Sequence, residues 1–326
     1  MSDRTGILLL QMGGPRRLEE VEGYIRDLFL DPDLVRLPPV VNWFRGPLAG
    51  LVSRRRAPEV REQYAQIGGG SPNNATTMAQ AASLQRALAG DGDFRCYAAM
   101  TYTPPLIDEA VLRAHADGCR RVVGLSLFPQ YSTATTRSSF RLFDDKAREH
   151  GYSASRVKRI TRWGDRADFL DALAARTRST LDEARAAHPA PPQVVVSAHG
   201  VPVSYVRRGD PYVDEVEASV AGLRERLPGV EVHLAFQSRA TPVKWVEPAT
   251  LDELTRLGRA GAKNLVVLPI SFVNDHVETL YEIDVQLAEV AREAGVEAYR
   301  RVPVFNDAPD LTGILRALVL EELAEG

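Results

Sequence analysis

The chain has 326 residues, enough for one large α/β domain or two ordinary ones. An apolar fraction of 44% is ordinary for a soluble globular protein, and 40 basic against 43 acidic residues leave a charge of −3, so nothing argues for nucleic acid as the main partner. The two cysteines, Cys96 and Cys119, belong to no C-x-x-C pair, which excludes a thiolate zinc site or a four-cysteine cluster built from this chain alone.

The N-terminus enters a strand at once and lacks the pattern of a signal peptide. No apolar run approaches the ~20 residues that span a bilayer, so a cytoplasmic protein is expected. Residues 6–12 (GILLLQM) read as a short buried strand closed by Gly13-Gly14-Pro15. Apolar residues recur at helical spacing over 18–30, and Asp31-Pro32 stops that helix. Residues 35–51 (VRLPPVVNWFRGPLAGL) carry three prolines and expose Val40, Val41, Trp43, Phe44 and Leu48 with little periodicity. That pattern suits a loop tucked onto the body, an apolar lip beside a pocket, or a shallow peripheral membrane contact. Arg54-Arg55-Arg56 then lead into a helix through Gln66. Three such arginines are either a solvated patch or partners for the carboxylates of an acidic ligand. Residues 67–73 (IGGGSPN) form a glycine-rich turn that matches no nucleotide-binding fingerprint. A helix over 76–88, an apolar alternation over 94–102 closed by Pro104-Pro105, and a helix over 107–117 follow. Residues 121–128 (RVVGLSLF) read as a buried strand, 129–140 as a hydroxyl-rich loop opening a helix, and a further strand and helix reach Ala187.

The pattern then restarts. Residues 193–198 (QVVVSA) end in His199-Gly200-Val201-Pro202 as the first strand ends in Gly13-Gly14-Pro15. Residues 230–236 precede Gln237-Ser238-Arg239-Ala240-Thr241-Pro242 much as 94–100 precede 101–105, and NLVVLPI (264–270) echoes RVVGLSLF. The expected fold class is therefore α/β, two similar Rossmann-like halves with parallel sheets facing a central cleft. The division is placed at 1–158, carrying the lip, and 159–326, with the final helix over 310–323 free to pack back on the first half.

Parallel sheets bind ligands at the carboxyl ends of their strands. His199 lies at one such end, and SFVNDHVETLYEID (271–284) brings His276, Asp275, Glu278, Glu282 and Asp284 to another. Glu278 and Glu282, four apart, share one helix face and repel mildly. Such a pair is either a solvated acidic face or the bed of a cation. A lone histidine at a strand end is more often structural; two with carboxylates point to a site. His115, His150 and His188 read as surface and His233 as a strand position. No nucleophile elbow and no H-E-x-x-H motif is present. Imidazole and carboxylate without thiolate suit transient handling of Fe²⁺ or Zn²⁺.

QMGGP, RRRAPEVREQYAQIGGGSP, LFPQYS, SAHGVPVSYVRRGDPY, FQSRATPVKWVEPAT and LPISFVNDHVETLYEID together resemble ferrochelatase, the enzyme family that inserts Fe²⁺ into a porphyrin, over nearly the whole chain. The resemblance implies that His199 is the essential histidine and Glu278 the essential glutamate, with His276 beside it. It implies metal handling by His199, Glu278 and Glu282, and a porphyrin pocket lined or bordered by Met12, Arg56, Tyr64, Phe128, Tyr131 and Trp245. It also implies two Rossmann-like halves around a cleft, porphyrin and Fe²⁺ as substrates, a monomer or homodimer, and no permanently bound cofactor. Where animal relatives carry a cysteine ligand of a [2Fe–2S] cluster this chain has Thr133, so no cluster is expected. The carboxylate row of many members is cut short by Gln286, Asp284 is expected to face solvent, and Thr101 stands where some relatives carry a pocket arginine. Met12, where coproporphyrin III enzymes tend to have tyrosine, favours protoporphyrin IX. A coproporphyrin III enzyme, a chelatase for another tetrapyrrole and a non-catalytic haem or porphyrin carrier are the other readings.

Overall fold

A computed structural model describes residues 4–238 and 243–324. All seven residues of β1 (Thr5–Gln11) are buried, as a parallel strand covered on both faces requires. It pairs in parallel with β2 (Phe94–Met100) and β3 (Arg121–Ser126), and β3 pairs with β4 (Val157–Ile160), giving the order β2-β1-β3-β4. Helices α1 (Val21–Leu30), α2 (Pro39–Asn42), α3 (Arg45–Gln66), α4 (Asn73–Ala87), α5 (Ile107–Ala116) and α6 (Thr136–Glu149) connect these strands. One face of the sheet, with Leu8, Leu10 and Tyr97, packs on Val111 of α5 and on Phe140 and Phe143 of α6. Gly124 lets α6 approach: a Cβ there would lie 2.8 Å from the Phe140 ring.

The second sheet repeats the design. Strands β5 (Gln193–His199), β6 (Val232–Gln237), β7 (Asn264–Pro269) and β8 (Ala298–Arg301) are all parallel in the order β6-β5-β7-β8. They are joined or flanked by α7 (Ala167–Ala187), α8 (Val203–Val206), α9 (Tyr212–Arg226), α10 (Thr250–Arg259), a π-helix over Glu278–Leu287 and α11 (Ala288–Glu293). Val195, Leu265 and Val267 pack against Leu254, Ile283 and Leu287. The repeat extends to detail. The Met100 N–H donates to the Pro105 carbonyl at 2.8 Å and the Phe236 N–H to the Pro248 carbonyl at 2.9 Å, each after a cis X-Pro bond.

The chain separates into two compact units. One runs to Arg162 and resumes at Phe305; the other is Trp163 to Val304. Thus the junction falls a little beyond 158/159, and α12 (Pro309–Ala324), counted with the second half from sequence, belongs to the first unit. There Arg316 holds Asp91 at 2.6 Å. Most of the segment over 35–51 is helical rather than loop: 39–42 form α2 and 45–51 open α3, with Trp43, in the turn between them, 90% exposed and Val40 78%. The three-strand repeat expected from sequence has a fourth strand in each copy, and among the described residues no helix is long and apolar enough to cross a membrane.

Candidate active site

The second unit carries the candidate reactive groups beyond the carboxyl ends of β5, β6 and β7. His199 is the last residue of β5, and Gly200 turns the chain so tightly that a Cβ there would lie 2.5 Å from the Gln237 carbonyl oxygen. Glycine is needed for that approach. The His199 N–H donates to Ser271 Oγ at 3.3 Å, and Ser271 shares a 2.7 Å hydrogen bond with the buried Tyr212 hydroxyl. So the backbone of the imidazole is pinned from β7 and α9.

His199 Nδ1 lies 2.8 Å from Glu278 Oε2, at the start of the π-helix. Ser238, held at a positive φ of 64°, directs its hydroxyl to Glu278 Oε2 at 3.2 Å and to Glu282, while its N–H donates to Glu282 Oε1 at 2.8 Å. Gln237 Nε2 reaches Glu282 Oε2 and the Glu278 carbonyl, both at 3.3 Å, and its own Oε1 accepts from Ser197 at 2.7 Å. The two glutamates therefore face one group of donors rather than open water. That brings together three of the residues named from sequence, and adds Gln237 and Ser238, whose only prior signal was their place in the FQSRATP motif. Arg239 to Pro242 of that motif lie outside the described residues.

His276 takes a separate place. The Glu278 N–H donates to its Nδ1 at 3.1 Å, so the neutral ring carries its proton on Nε2. Phe272, also unremarked from sequence, stands edge-on to both imidazoles, with ring centroids 6.1 Å from His199 and 4.4 Å from His276. Burial works against a charged His199, but the carboxylates of Glu278 and then Glu282 outweigh it and raise its pKa. For Glu278 burial favours the neutral acid, yet the His199 charge and hydrogen bond win and hold it well below the carboxylate range. Burial and the neighbouring Glu278 charge push Glu282 up. Burial lowers His276, against the pull of Glu278 and Asp275. The two imidazoles are thus pushed apart in proton affinity, and so are the two carboxylates.

No group of three or more His, Cys, Asp or Glu among the described residues is arranged as a metal cage. Glu278 Oε2 and both carboxylate oxygens of Glu282 are engaged by His199, Ser238 and Gln237. Asp284 does not merely face solvent: Arg301 binds it through Nε at 2.7 Å and a second nitrogen at 3.0 Å.

Five of the six residues expected to line or border a porphyrin lie in the first unit. Met12 is half-buried where β1 ends. Gln11 pairs with Met100 as Ala198 pairs with Phe236, so Met12 occupies in its unit the position His199 occupies in the other. Phe128 and Tyr131 follow β3, with Arg162 stacked 5.3 Å over the Tyr131 ring. Arg56 is exposed on α3, whereas Tyr64, 3% exposed, is a core residue of the same helix. In the second unit, Trp245 bridges to Pro202 and lies 3.4 Å from where a Gly200 Cβ would be, beside the His199 turn.

The family model described as Ferrochelatase matches residues 4–323. The chain is 43% identical to a ferrochelatase of Thermosynechococcus vestitus, covering 99% of this chain and 84% of that one. It is 42% identical to a ferrochelatase of Geotalea uraniireducens, covering 98% of each. With the chloroplastic ferrochelatase-2 of Cucumis sativus it shares 40% over 99% of this chain and 64% of that one. Among solved structures, SirB from Bacillus subtilis with Fe³⁺ superposes with a TM-score of 0.55 at 13% identity, over 76% of this chain and 90% of that one, a likeness of fold alone.

Proposed function

The chain belongs to the ferrochelatase family and is a metal chelatase, and from that premise we propose that it inserts Fe²⁺ into protoporphyrin IX to give haem b. The observation that carries the mechanism is the 2.8 Å contact of His199 with Glu278, itself held by Ser238 and neighboured by Glu282. A free-base porphyrin is nearly flat and holds two pyrrole protons, so a metal cannot reach all four nitrogens at once. Distorting the ring exposes nitrogen lone pairs on one face and N–H groups on the other, and that strain is supplied by binding elsewhere on the macrocycle. In this reading His199 accepts the pyrrole protons as general base. Glu278 and Glu282, with His276 beside them, take those protons onward and strip water from the metal ion. Met12, Arg56, Tyr64, Phe128, Tyr131 and Trp245 line or border the ring in this reading.

Iron is the substrate in this reading, which needs no resident cofactor. Met12 supports protoporphyrin IX over coproporphyrin III, and the exposed Val40, Trp43 and Phe44 support a peripheral contact with a membrane surface.

Anaerobic insertion of Fe²⁺ or Zn²⁺ into the two porphyrins, for wild type and His199→Ala, tests the proposal. Turnover is expected with protoporphyrin IX and lost in His199→Ala, while porphyrin binding stays within about twofold. Preferred turnover of coproporphyrin III would reassign the substrate; near-normal turnover by His199→Ala would remove the base.

A further inference from the structure

The helix that carries Glu278 and Glu282 is a π-helix ten residues long, Glu278–Leu287. Such i→i+5 bonding ordinarily survives only as single-turn bulges within α-helices. A run of this length needs support from outside itself. On the side away from His199, that support comes from one face of the four-residue edge strand β8. Tyr299 donates its hydroxyl to the Ile283 carbonyl at 2.9 Å, in the middle of the π-helix. Arg301, two residues on and hence on the same face of the strand, forks onto both oxygens of Asp284. Its third nitrogen, NH1, stands 3.1 Å from Asp275 Oδ1, at the distance of an ion pair without the alignment of a directed hydrogen bond. Asp275 in turn accepts from the Thr279 hydroxyl at 2.9 Å, and that hydroxyl accepts the His276 N–H at 3.0 Å. One guanidinium, 12% exposed, thus joins a carboxylate upstream of the π-helix to one inside it, and Glu278 lies between them.

The first unit contains the same arrangement without the chemistry. Arg159 lies opposite Gly124 in the β3–β4 pair as Arg301 lies opposite Val267 in the β7–β8 pair. Arg159 Nε binds Asp144 at 2.9 Å on α6, a regular α-helix. The contact with a second carboxylate belongs to the copy that holds a π-helix.

We propose that Arg301, with Tyr299, is a positioning residue that fixes the register of the π-helix so that Glu278 and Glu282 both reach Ser238 while Glu278 meets His199. The proposal rests on the catalytic reading of Glu278 above. The tests are Arg301→Met, Arg301→Lys, Asp284→Asn and, as control, Arg159→Met, compared in metal insertion, porphyrin affinity by fluorescence quenching, and amide exchange over residues 276–287. Arg301→Met is expected to lower kcat about ten- to hundredfold, as misplacement of a catalytic group does, with KM and porphyrin Kd within about twofold. Exchange over 276–287 rises, and that over β5 and β6 does not. Arg301→Lys keeps the charge but not the fork and recovers part of kcat. Arg159→Met leaves kcat at the wild-type value.

A normal kcat in folded Arg301→Met, or equal losses in Arg301→Met and Arg159→Met, would overturn the proposal. Should Arg301→Met fail to fold, Asp284→Asn keeps the Asp275 contact and decides instead, with unchanged kcat and unchanged exchange counting against it. If the wild type itself inserts no metal, the catalytic reading fails, and the exchange comparison still decides whether Arg301 holds the helix.

Discussion

His199 and Glu278 share one hydrogen bond, and its pH dependence separates a working base from a structural contact. Burial disfavours the imidazolium, but the two glutamates dominate and raise His199 above its ordinary 6.5, so the ring is protonated and unable to accept below that raised value. The rate of insertion should therefore climb with pH along a limb that lies above 6.5. Glu278→Gln removes the main charge favouring the imidazolium and leaves burial in command, so the residual activity should show its acid limb displaced to lower pH. A pH–kcat/KM profile of both proteins checks this, and an unmoved limb would assign it to another group. Stability follows the same signs. The stabilisation from His199 is complete below its unfolded value and fades as pH rises through the raised one; that from Glu278 is complete above about 4.5 and fades as pH falls through its depressed one. At this scale the sequence offered His199, at a strand end, and Glu278, in an acidic run beyond another strand, and the fold brings the two side chains within 2.8 Å. The sequence said little of Ser238, Gln237 and Phe272, whose places beside these groups depend on how the fold aims them. It misjudged Asp284, because only the fold brings Arg301 to it.

Buried parallel strands announce themselves as continuous apolar runs, which is why β1, β3, β5 and β7 were legible. Strand β8 (AYRR) was not. It is a sheet edge, all four residues are half-buried, and half of them are arginine. The π-helix reads from sequence as ordinary helix, since apolar spacing over ten residues does not distinguish 3.6 residues per turn from a wider coil. The lip misled for the opposite reason. Its prolines suggested a loop, but Pro39 sits at the first position of α2 and Pro47 in the opening turn of α3, where a missing N–H costs nothing. That helical lip puts Trp43 and Phe44 outward, 90% and 61% exposed, with Arg54, Arg55 and Arg56 further along the same helix. Replacing both aromatics by serine should weaken co-sedimentation with anionic vesicles by about tenfold or more, while leaving insertion into detergent-solubilised porphyrin unchanged. Equal sedimentation of the two proteins would rule the lip out as the contact.

At the level of the molecule, two sheets with the same strand order and the same cis-proline return reproduce the repeat visible in the motifs. What the sequence could not reveal is where the last helix goes, because an amphipathic helix near a chain end fits many surfaces equally well. Helix α12 packs on α4, and Arg316 is anchored to Asp91 and to the Ala87 carbonyl at 3.1 Å. The first unit is therefore discontinuous, and the second is threaded into it between Arg162 and Phe305. Ribosomal synthesis runs from the N-terminus, and domains usually fold in that order as they emerge. Here the order is inverted: the unit that begins first closes only once residues 305–324 have left the exit tunnel, by which time the half carrying His199 and Glu278 is already whole. A nascent chain stalled with Val304 just outside the tunnel should thus show protease protection over 163–304 and cleavage within 4–162, and emergence of residues 305–324 should protect both.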